Sequence, residues 1–327
     1  MKKNIAIVWG GYSSEIVVSE KSMLGIYSFM DKEQYHVIKV KITRDSWTAT
    51  IDDREYFVDK NDFSVQKENQ KVKIDFAYIT IHGTPGEDGH LQGYLDMLNI
   101  PYSTCGMTAS TLTFNKFICN NFLKNFGLNV AKSVYLTKET KYNVDEITDS
   151  LGLPVFVKPN TGGSSFATTK VKVKEKMQEA IDSAFGEASD VIIESFISGR
   201  EVTCGCYKTG SKEVVLPLTE VVTQNEFFDY NAKYMGEVEE ITPAQLPDDI
   251  TKEIQLLTSK IYDLINAKGI IRADFIISDN IPYLLEVNTT PGMTATSFIP
   301  QQVKAANLSM TDVLSEIIEC EYLKNAK

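Results

Sequence analysis

Apolar positions along the chain change period repeatedly, and the changes outline the elements. NIAIVWGG reads as a buried strand running into a glycine turn, and the following EIVVSEKSMLGIYSFM has helical spacing from about Val18. YHVIKVKIT (35–43) and DFAYITIHG (75–83) are two further strands, separated by a polar, irregular stretch (44–73) with a short strand or hairpin around REYFV. HLQGYLDMLNI is a short helix. Strands alternating with helices predict a small parallel sheet over roughly the first hundred residues. Next comes one long amphipathic helix, TASTLTFNKFICNNFLKNFGL (108–128). SVYLT and LPVFVKP are strands with a helix near 143–151 between them; TTKVKVKEKMQEAIDSAFG is a strand end and a helix, and the strand DVIIESFI (190–197) follows. EVTCGCYKTG and KEVVLPLTEVV predict antiparallel strands about a Lys-Thr-Gly turn. DDITKEIQLLTSKIYDLINAKG is a helix with Gly269 as its C-cap, IIRADFIISDNIPYLLEVN is a hairpin turning at Asp279-Asn280, and MTDVLSEIIECEYLK is the last helix. The reading is α/β and α+β, with units at 1–103, 104–189 and 190–327.

Composition narrows the function classes. The chain has 327 residues, is 43% hydrophobic and carries a net charge of −11, which disfavours nucleic acid or an anionic membrane as the main partner. Five cysteines, an odd number at low density, indicate no disulfide framework. Cys204 and Cys206 form a C-x-C pair, but with only three histidines in the chain (His36, His82, His90) zinc is not indicated. The apolar run in MKKNIAIVWGG stops at glycines, so it reads neither as a signal peptide nor as a membrane span, and the expected compartment is the cytoplasm.

Strand alternation supplies the first chemical candidate. Arg272 and Asp274 are two apart, as are Glu286 and Asn288, so each pair shares a face. If the two strands pair through their short turn, all four line one surface. Its carboxylate and amide oxygens suit magnesium, with phosphate and water completing the shell. A solvated hairpin face is the plain alternative, although a carboxylate pair among Ile, Phe and Leu is costly unless compensated. In VKPNTGGSSFATT, Lys158 ends an apolar strand, and backbone N–H groups and hydroxyls of a Gly-Ser loop that includes Ser164 and Ser165 can hold phosphate. This is not a Walker loop, since the lysine precedes the glycines, and a flexible turn reads nearly as well. Glu194 and Glu201 can accept from a nucleotide ribose or amine, or be ordinary surface acids. FFDYNAKYMG, with Lys233 beside Tyr234, reads as an ordered loop over a ligand or as a core hairpin. Glu15 stands at a strand-to-helix junction as a cap or a receptor for a ligand amine. His82 ends a strand at the edge where parallel sheets meet ligands, whereas His90 is exposed or structural. Together these suggest nucleotide phosphates handled by magnesium, lysines and an arginine.

The ordered set GGYSSE, IHGTPGEDGHLQG, LGLPVFVKPNTGGSS, FFDYNAKY and LLEVNTTPGMTATS resembles the D-alanine–D-alanine ligases of the ATP-grasp superfamily, from the first strand to about residue 300. The resemblance implies a three-domain fold with ATP between the central and C-terminal domains, a homodimer formed through the N-terminal region, and D-alanine and ATP as small-molecule substrates. It implies that Lys116, Lys158 and Ser165 meet ATP phosphates, and that Glu194, Phe196, Ile197 and Glu201 meet the adenosine end. Asp274, Glu286 and Asn288 would hold two Mg2+, with Mn2+ a substitute. Arg272 would stabilise a tetrahedral intermediate with the Gly292 N–H. Glu15 would take the ammonium of the first D-alanine, with His82 nearby. Ser164 and Tyr234 would join Glu15 in closing the loop that carries Lys233, which would bind nucleotide. Ser297 and Phe298 would line the second subsite. The implied activity is ATP-dependent synthesis of D-alanyl-D-alanine through an acylphosphate, for peptidoglycan precursors. A different acceptor, D-lactate or D-serine, and a non-catalytic nucleotide binder are the competing readings; Tyr234 goes with D-alanine. Four positions depart from the usual pattern: Ile16 for an arginine, Ala167 for a glycine, Ser195 for a lysine and Phe298 for a leucine.

Overall fold

The computed structural model describes residues 2–13, 15–163, 167–223 and 238–325. Three sheets organise them. In the first, β1 (Lys3–Gly10) pairs in parallel with β2 (Tyr35–Ile42) and β7 (Phe76–Ile79), and α1 (Ile16–Phe29) makes the crossover. This is the expected parallel core. The stretch expected to be irregular apart from a short strand or hairpin around REYFV holds four strands, β3 (Trp47–Ile51), β4 (Arg54–Asp59, which is the REYFV strand), β5 (Ser64–Lys67) and β6 (Gln70–Val72), which extend the sheet in the order β6-β5-β4-β3-β2-β1-β7. Their turns place Asp52, Asp53, Phe63 and Glu68 at positive φ, with no glycine to mark them. α2 (His90–Met97) then covers the sheet.

The expected long helix at 108–128 is two, α3 (Met107–Phe114) and α4 (Lys116–Lys124). Asn115 breaks it with φ −91° and ψ 99°, and its side chain accepts the Ile118 N–H as the cap of α4. Both helices pack on the third sheet rather than the second, and β8 (Asn129–Val130) pairs with that third sheet too. The second sheet, order β11-β10-β12-β9, is antiparallel: β9 (Ser133–Thr137), β10 (Val155–Pro159), β11 (Thr169–Val171) and β12 (Asp190–Ser195). α5 (Val144–Leu151) and α6 (Met177–Glu187) cover it around Val155, Val157, Ile181 and Ile193. Sheet membership therefore cuts across the boundaries at 104 and 190. β12 lies between β10 and β9, and 107–130 sides with the third unit.

The third sheet runs β16-β15-β13-β17-β18-β8, with β14 (Lys212–Val215) beside β13 (Arg200–Thr209). β15 (Thr219–Thr223) and β16 (Val238–Ile241) form one edge, and β17 (Ile270–Ser278) and β18 (Ile281–Asn288) form the central hairpin. Its turn residues Asp279 and Asn280 have φ of 50° and 61°, as a two-residue hairpin turn of this hand requires. α7 (Asp248–Leu264) covers one face. It ends before Gly269, so that glycine is not its cap. Gly269 is needed for close approach, since a Cβ there would stand 1.8 Å from the Ser103 carbonyl oxygen. α8 (Phe298–Ala305) and α9 (Met310–Asn325) sit on the other face. There Tyr207, Ile270, Ile299 and Leu314 share a core with Ile5, Ile7, Phe76 and Tyr78 of the first sheet. That shared core fixes the first unit against the third, and the site lies where the units meet. No helix among the described residues is long and apolar enough to cross a membrane.

Candidate active site

One cavity of about 740 Å³ takes strand residues from the second and third sheets and, from the first unit, Tyr12, Ser13 and Glu15 of the segment between β1 and α1. Lys158 enters from β10, Glu194 from β12, Glu201 from β13, Arg272 and Asp274 from β17, and Glu286 from β18. Lys116 comes from the first turn of α4, Glu15 from the start of α1, and Phe196 and Ile197 from the strand exit after β12. The break at Asn115 starts α4 at Lys116 and so sets the aim of this lysine. Ser164, Ser165, Lys233 and Tyr234 lie outside the described residues.

The lysines are already paired with acids. Lys158 Nζ is 2.6 Å from Glu194 Oε2. Burial pulls Lys158 toward neutrality, but Glu194, with Glu286 and Glu201 beyond it, outweighs burial and raises its pKa above the ordinary value. Glu194 also meets Asn120 Nδ2 at 3.5 Å. Lys116 Nζ donates to the Gly162 carbonyl at 2.5 Å and lies 3.7 Å from Glu286 Oε2. It ties the glycine loop after β10 to the carboxylate hairpin. Both ammonium groups therefore stand in one cavity beside three carboxylates, which suits a ligand carrying phosphoryl charge and its counter-ions.

On the hairpin, Asp274 and Glu286 are direct register partners, as are Arg272 and Asn288. A register shift between Asp274 and Phe275 bends β17 at this point. Asp274 accepts four hydrogen bonds: from Arg272 Nε at 2.7 Å and Nη2 at 2.6 Å, from Thr203 Oγ1 at 2.6 Å, and from Asn288 Nδ2 at 3.0 Å. Arg272 is raised further above its ordinary range: burial opposes the charge, and Asp274, Glu286 and Glu201 outweigh it. Among the described residues no three His, Cys, Asp or Glu converge as a metal set. Two carboxylates and the Asn288 amide do share the face, and this all-oxygen set fits a hard divalent cation completed by phosphate oxygens. A cation taking Asp274 competes with Arg272, Thr203 and Asn288 for its oxygens.

At the other end, Glu15 is buried at the start of α1. The glycine loop passes close over it, so that a Cβ on Gly163 would stand 2.9 Å from Glu15 Oε1. His82 is buried with Nε2 3.1 Å from Ser22 Oγ, behind the Glu15 loop, and His90 is exposed beside Asp88. Gly292 and Ser297 do not line the cavity but flank it: Ser297 Oγ accepts from the Thr294 N–H at 3.0 Å and pins the turn that follows β18. Phe298 lines the cavity, with its ring centroid 5.3 Å from Arg272 Cζ. The adenosine-end candidates also cluster. Phe196 lies 5.9 Å from Phe156, while Lys170 Nζ stands 3.8 Å over the Phe196 ring. Ser195 also lines the cavity, and its hydroxyl donates to the Lys132 carbonyl at 3.1 Å. Ala167 adopts φ 50°, the left-handed region that suits the glycine it replaces.

Two residues were missed in the sequence. Glu87 accepts the Gly83 N–H at 2.7 Å; burial and the nearby Glu15 push it up to about 8, against the pull of that N–H and of Lys116. Only the fold brings it to Glu15. Arg200 grips Glu220 with two bonds of 2.6 Å and donates to the Gln245 carbonyl, fastening β15 to the mouth of the cavity. The buried Cys105, Cys119 and Cys204 take no part: burial pushes their thiols up to about 12.

Similarity to known proteins agrees with this geometry. Residues 4–105 match the family described as D-ala D-ala ligase N-terminus, and residues 122–319 match D-ala D-ala ligase C-terminus. The chain is 59% identical to a D-alanine–D-alanine ligase of Parabacteroides distasonis, covering 100% of this chain and 99% of that protein. It is 56% identical to one of Bacteroides fragilis, covering 98% and 100%. Among solved structures, VanG D-Ala:D-Ser ligase from Enterococcus faecalis superposes with a TM-score of 0.87 at 28% identity over 98% of this chain and 100% of that one. The D-alanine–D-alanine ligase from Bacillus anthracis complexed with ATP superposes with a TM-score of 0.79 at 29% identity, over 99% of each. The expected multi-domain ATP-grasp architecture is borne out, and the chain belongs to the D-alanine–D-alanine ligase family.

Proposed function

We propose that this enzyme joins two D-alanines to D-alanyl-D-alanine at the expense of ATP, releasing ADP and phosphate. The observation that carries the reading is the single cavity in which Glu15 faces one end of a cluster of Lys116, Lys158, Arg272 and the carboxylates Asp274 and Glu286. An amino acid can be held by its ammonium at Glu15 while its carboxylate points at the cations, which is the orientation a carboxylate needs to attack a phosphoryl group.

In the first step a carboxylate oxygen of D-alanine forms a bond to the γ-phosphorus of ATP, and the bond from that phosphorus to the β–γ bridging oxygen breaks, releasing ADP. Lys116 and Lys158 offset charge on the phosphoryl oxygens, with Ser165 and Lys233 as further phosphate and nucleotide contacts. Glu194, Phe196, Ile197 and Glu201 hold the adenosine end. Asp274, Glu286 and Asn288 would hold two magnesium ions, which when bound neutralise charge between the phosphoryl groups. In the second step the amine of another D-alanine attacks the acylphosphate carbonyl. Arg272, released from Asp274, and the Gly292 N–H face the oxyanion of the tetrahedral intermediate. Phosphate then leaves with the original carboxylate oxygen, and the amine nitrogen loses a proton. Ser297 and Phe298 bound the acceptor, and Ser164 and Tyr234 would act with Glu15 in excluding water, which would otherwise hydrolyse the acylphosphate.

The same reading includes a homodimer through the N-terminal region and a cytoplasmic location. Its units follow sheet membership, with the central one ending after Ser195 and residues 107–130 grouped with the C-terminal one. Phosphate release and product analysis with ATP, magnesium and D-alanine test the function. D-Alanyl-D-alanine as the main product supports it, and preferred turnover of D-lactate or D-serine replaces the acceptor while keeping the mechanism.

A further inference from the structure

Phe298, where the resemblance leads to a leucine, lies beside Arg272. Arg272 stands between two partners: the Asp274 carboxylate, which it grips with two bonds, and the Phe298 ring, with its centroid 5.3 Å from Cζ. Both Arg272 and Phe298 are tied to one scaffold. Gly205 on β13 is the register partner of Arg272. Its N–H donates to Gln302 Oε1 at 2.9 Å, and Gln302 Nε2 donates to the Thr203 carbonyl at 3.0 Å. Gln302 belongs to α8, whose first residue is Phe298. A Cβ on residue 205 would stand 2.5 Å from Ile299 Cδ1, so the glycine lets α8 lie directly on the strand. The start of α8, which carries Phe298, is therefore held at a fixed place relative to the strand that carries Arg272.

We propose that Phe298 is a positioning residue that holds the Arg272 guanidinium by its π-face when Asp274 is taken by a divalent cation, keeping it aimed into the acceptor half of the cavity. A guanidinium pairs flat on an aromatic face and keeps its N–H edge free for other acceptors. With a leucine here, the released arginine has no such partner. It then competes harder for Asp274 and is less well placed for the oxyanion. This inference rests on the proposed roles of Arg272 and Asp274.

The test compares Phe298→Leu and Phe298→Tyr in the full-length enzyme, with two readouts. One is kcat and the KM values for ATP and D-alanine; the other is Mn2+ binding with a non-hydrolysable ATP analogue, which needs no turnover. Phe298→Leu is expected to lower kcat about 5-fold and weaken Mn2+ binding about 5-fold, with KM for ATP unchanged, and Phe298→Tyr to restore both. In an Arg272→Gln background, Phe298→Leu is expected to leave Mn2+ binding unchanged. Equal weakening in that background, or an effect of Phe298→Leu confined to the KM of the acceptor, overturns the proposal and makes Phe298 a subsite wall. Unchanged Mn2+ binding in Asp274→Asn instead overturns the metal reading beneath it. Circular dichroism spectra of each variant, required to match the parent, keep misfolding out of the comparison.

Discussion

Gly25→Ala adds a single methyl within α1, at a residue that does not line the cavity, and it tests how the fold aims the site. Propensity alone predicts a gain, since alanine is favoured over glycine in a helix interior by ~1 kcal/mol. The structure predicts a loss. A Cβ at residue 25 would stand 2.0 Å from the Met293 carbonyl oxygen, where Cβ contacts under 3.0 Å are essentially never seen, so about 1 Å of movement is required. The atom in the way is backbone and cannot swing aside. Overpacking of this kind costs ~1–3 kcal/mol, which exceeds the propensity gain. The displacement has two places to go, and both matter. If α1 yields, Glu15 at its start moves; if the 291–294 turn yields, the Gly292 N–H moves. A shift of 1 Å in a positioning element costs ~100-fold in rate. Steady-state kinetics with both D-alanine sites varied, together with thermal unfolding, checks this. The expected outcome is kcat/KM lower by ~100-fold and a melting temperature lower by a few degrees. Parent-level kcat/KM with a raised melting temperature refutes the reasoning and shows that the contact relaxes freely.

Other consequences follow from the pairs already described. Lys158→Met leaves Glu194 buried without its 2.6 Å partner, at a cost of ~3 kcal/mol by urea unfolding; adding Glu194→Leu is expected to recover most of the stability without recovering ATP binding, which separates the pair's structural part from its ligand part. Glu87 titrates at about 8 in the folded protein, well above the ordinary carboxylate range. The native state thus keeps a proton that the unfolded chain has lost, and stability contributed by this group falls as pH rises from that range toward 8. Urea unfolding at pH 5 and pH 8 is expected to show a smaller difference in Glu87→Gln than in the parent, and an unchanged difference contradicts the assignment. Removing divalent cations with EDTA is expected to abolish turnover while moving the melting temperature by no more than ~2 °C, because Arg272, Thr203 and Asn288 already satisfy Asp274. A large loss of stability on chelation would instead make the metal structural.

The legible parts of the fold were those written in period. Asp274, Glu286 and Asn288 fell on one face because strand side chains alternate, and the Asp279-Asn280 turn set the pairing of their strands. The parallel core around β1 was read from apolar runs alone. Around β4, which was read as a short strand or hairpin, β3, β5 and β6 escaped because the turns here are made by Asp52, Asp53, Phe63 and Glu68 at positive φ rather than by glycine or proline. The single helix read at 108–128 missed Asn115, whose cap interrupts an otherwise continuous periodicity. In the site, strand ends and the glycine loop pointed to Lys158 and Glu194, but a sequence carries no sign that they pair across two strands. Glu87 and Arg200 were invisible for the same reason: their partners Glu15 and Glu220 are chosen by packing. Phe298 was noticed as a departure, and only its distance to Arg272 suggests a purpose.

The most direct test of the account uses D-alanine labelled with 18O in its carboxylate, incubated with the enzyme, ATP and magnesium. Attack of that carboxylate on the γ-phosphorus carries one labelled oxygen into the released phosphate for each dipeptide formed. The account predicts D-alanyl-D-alanine together with singly labelled phosphate in equal amounts; dipeptide with unlabelled phosphate, or no dipeptide at all, contradicts it.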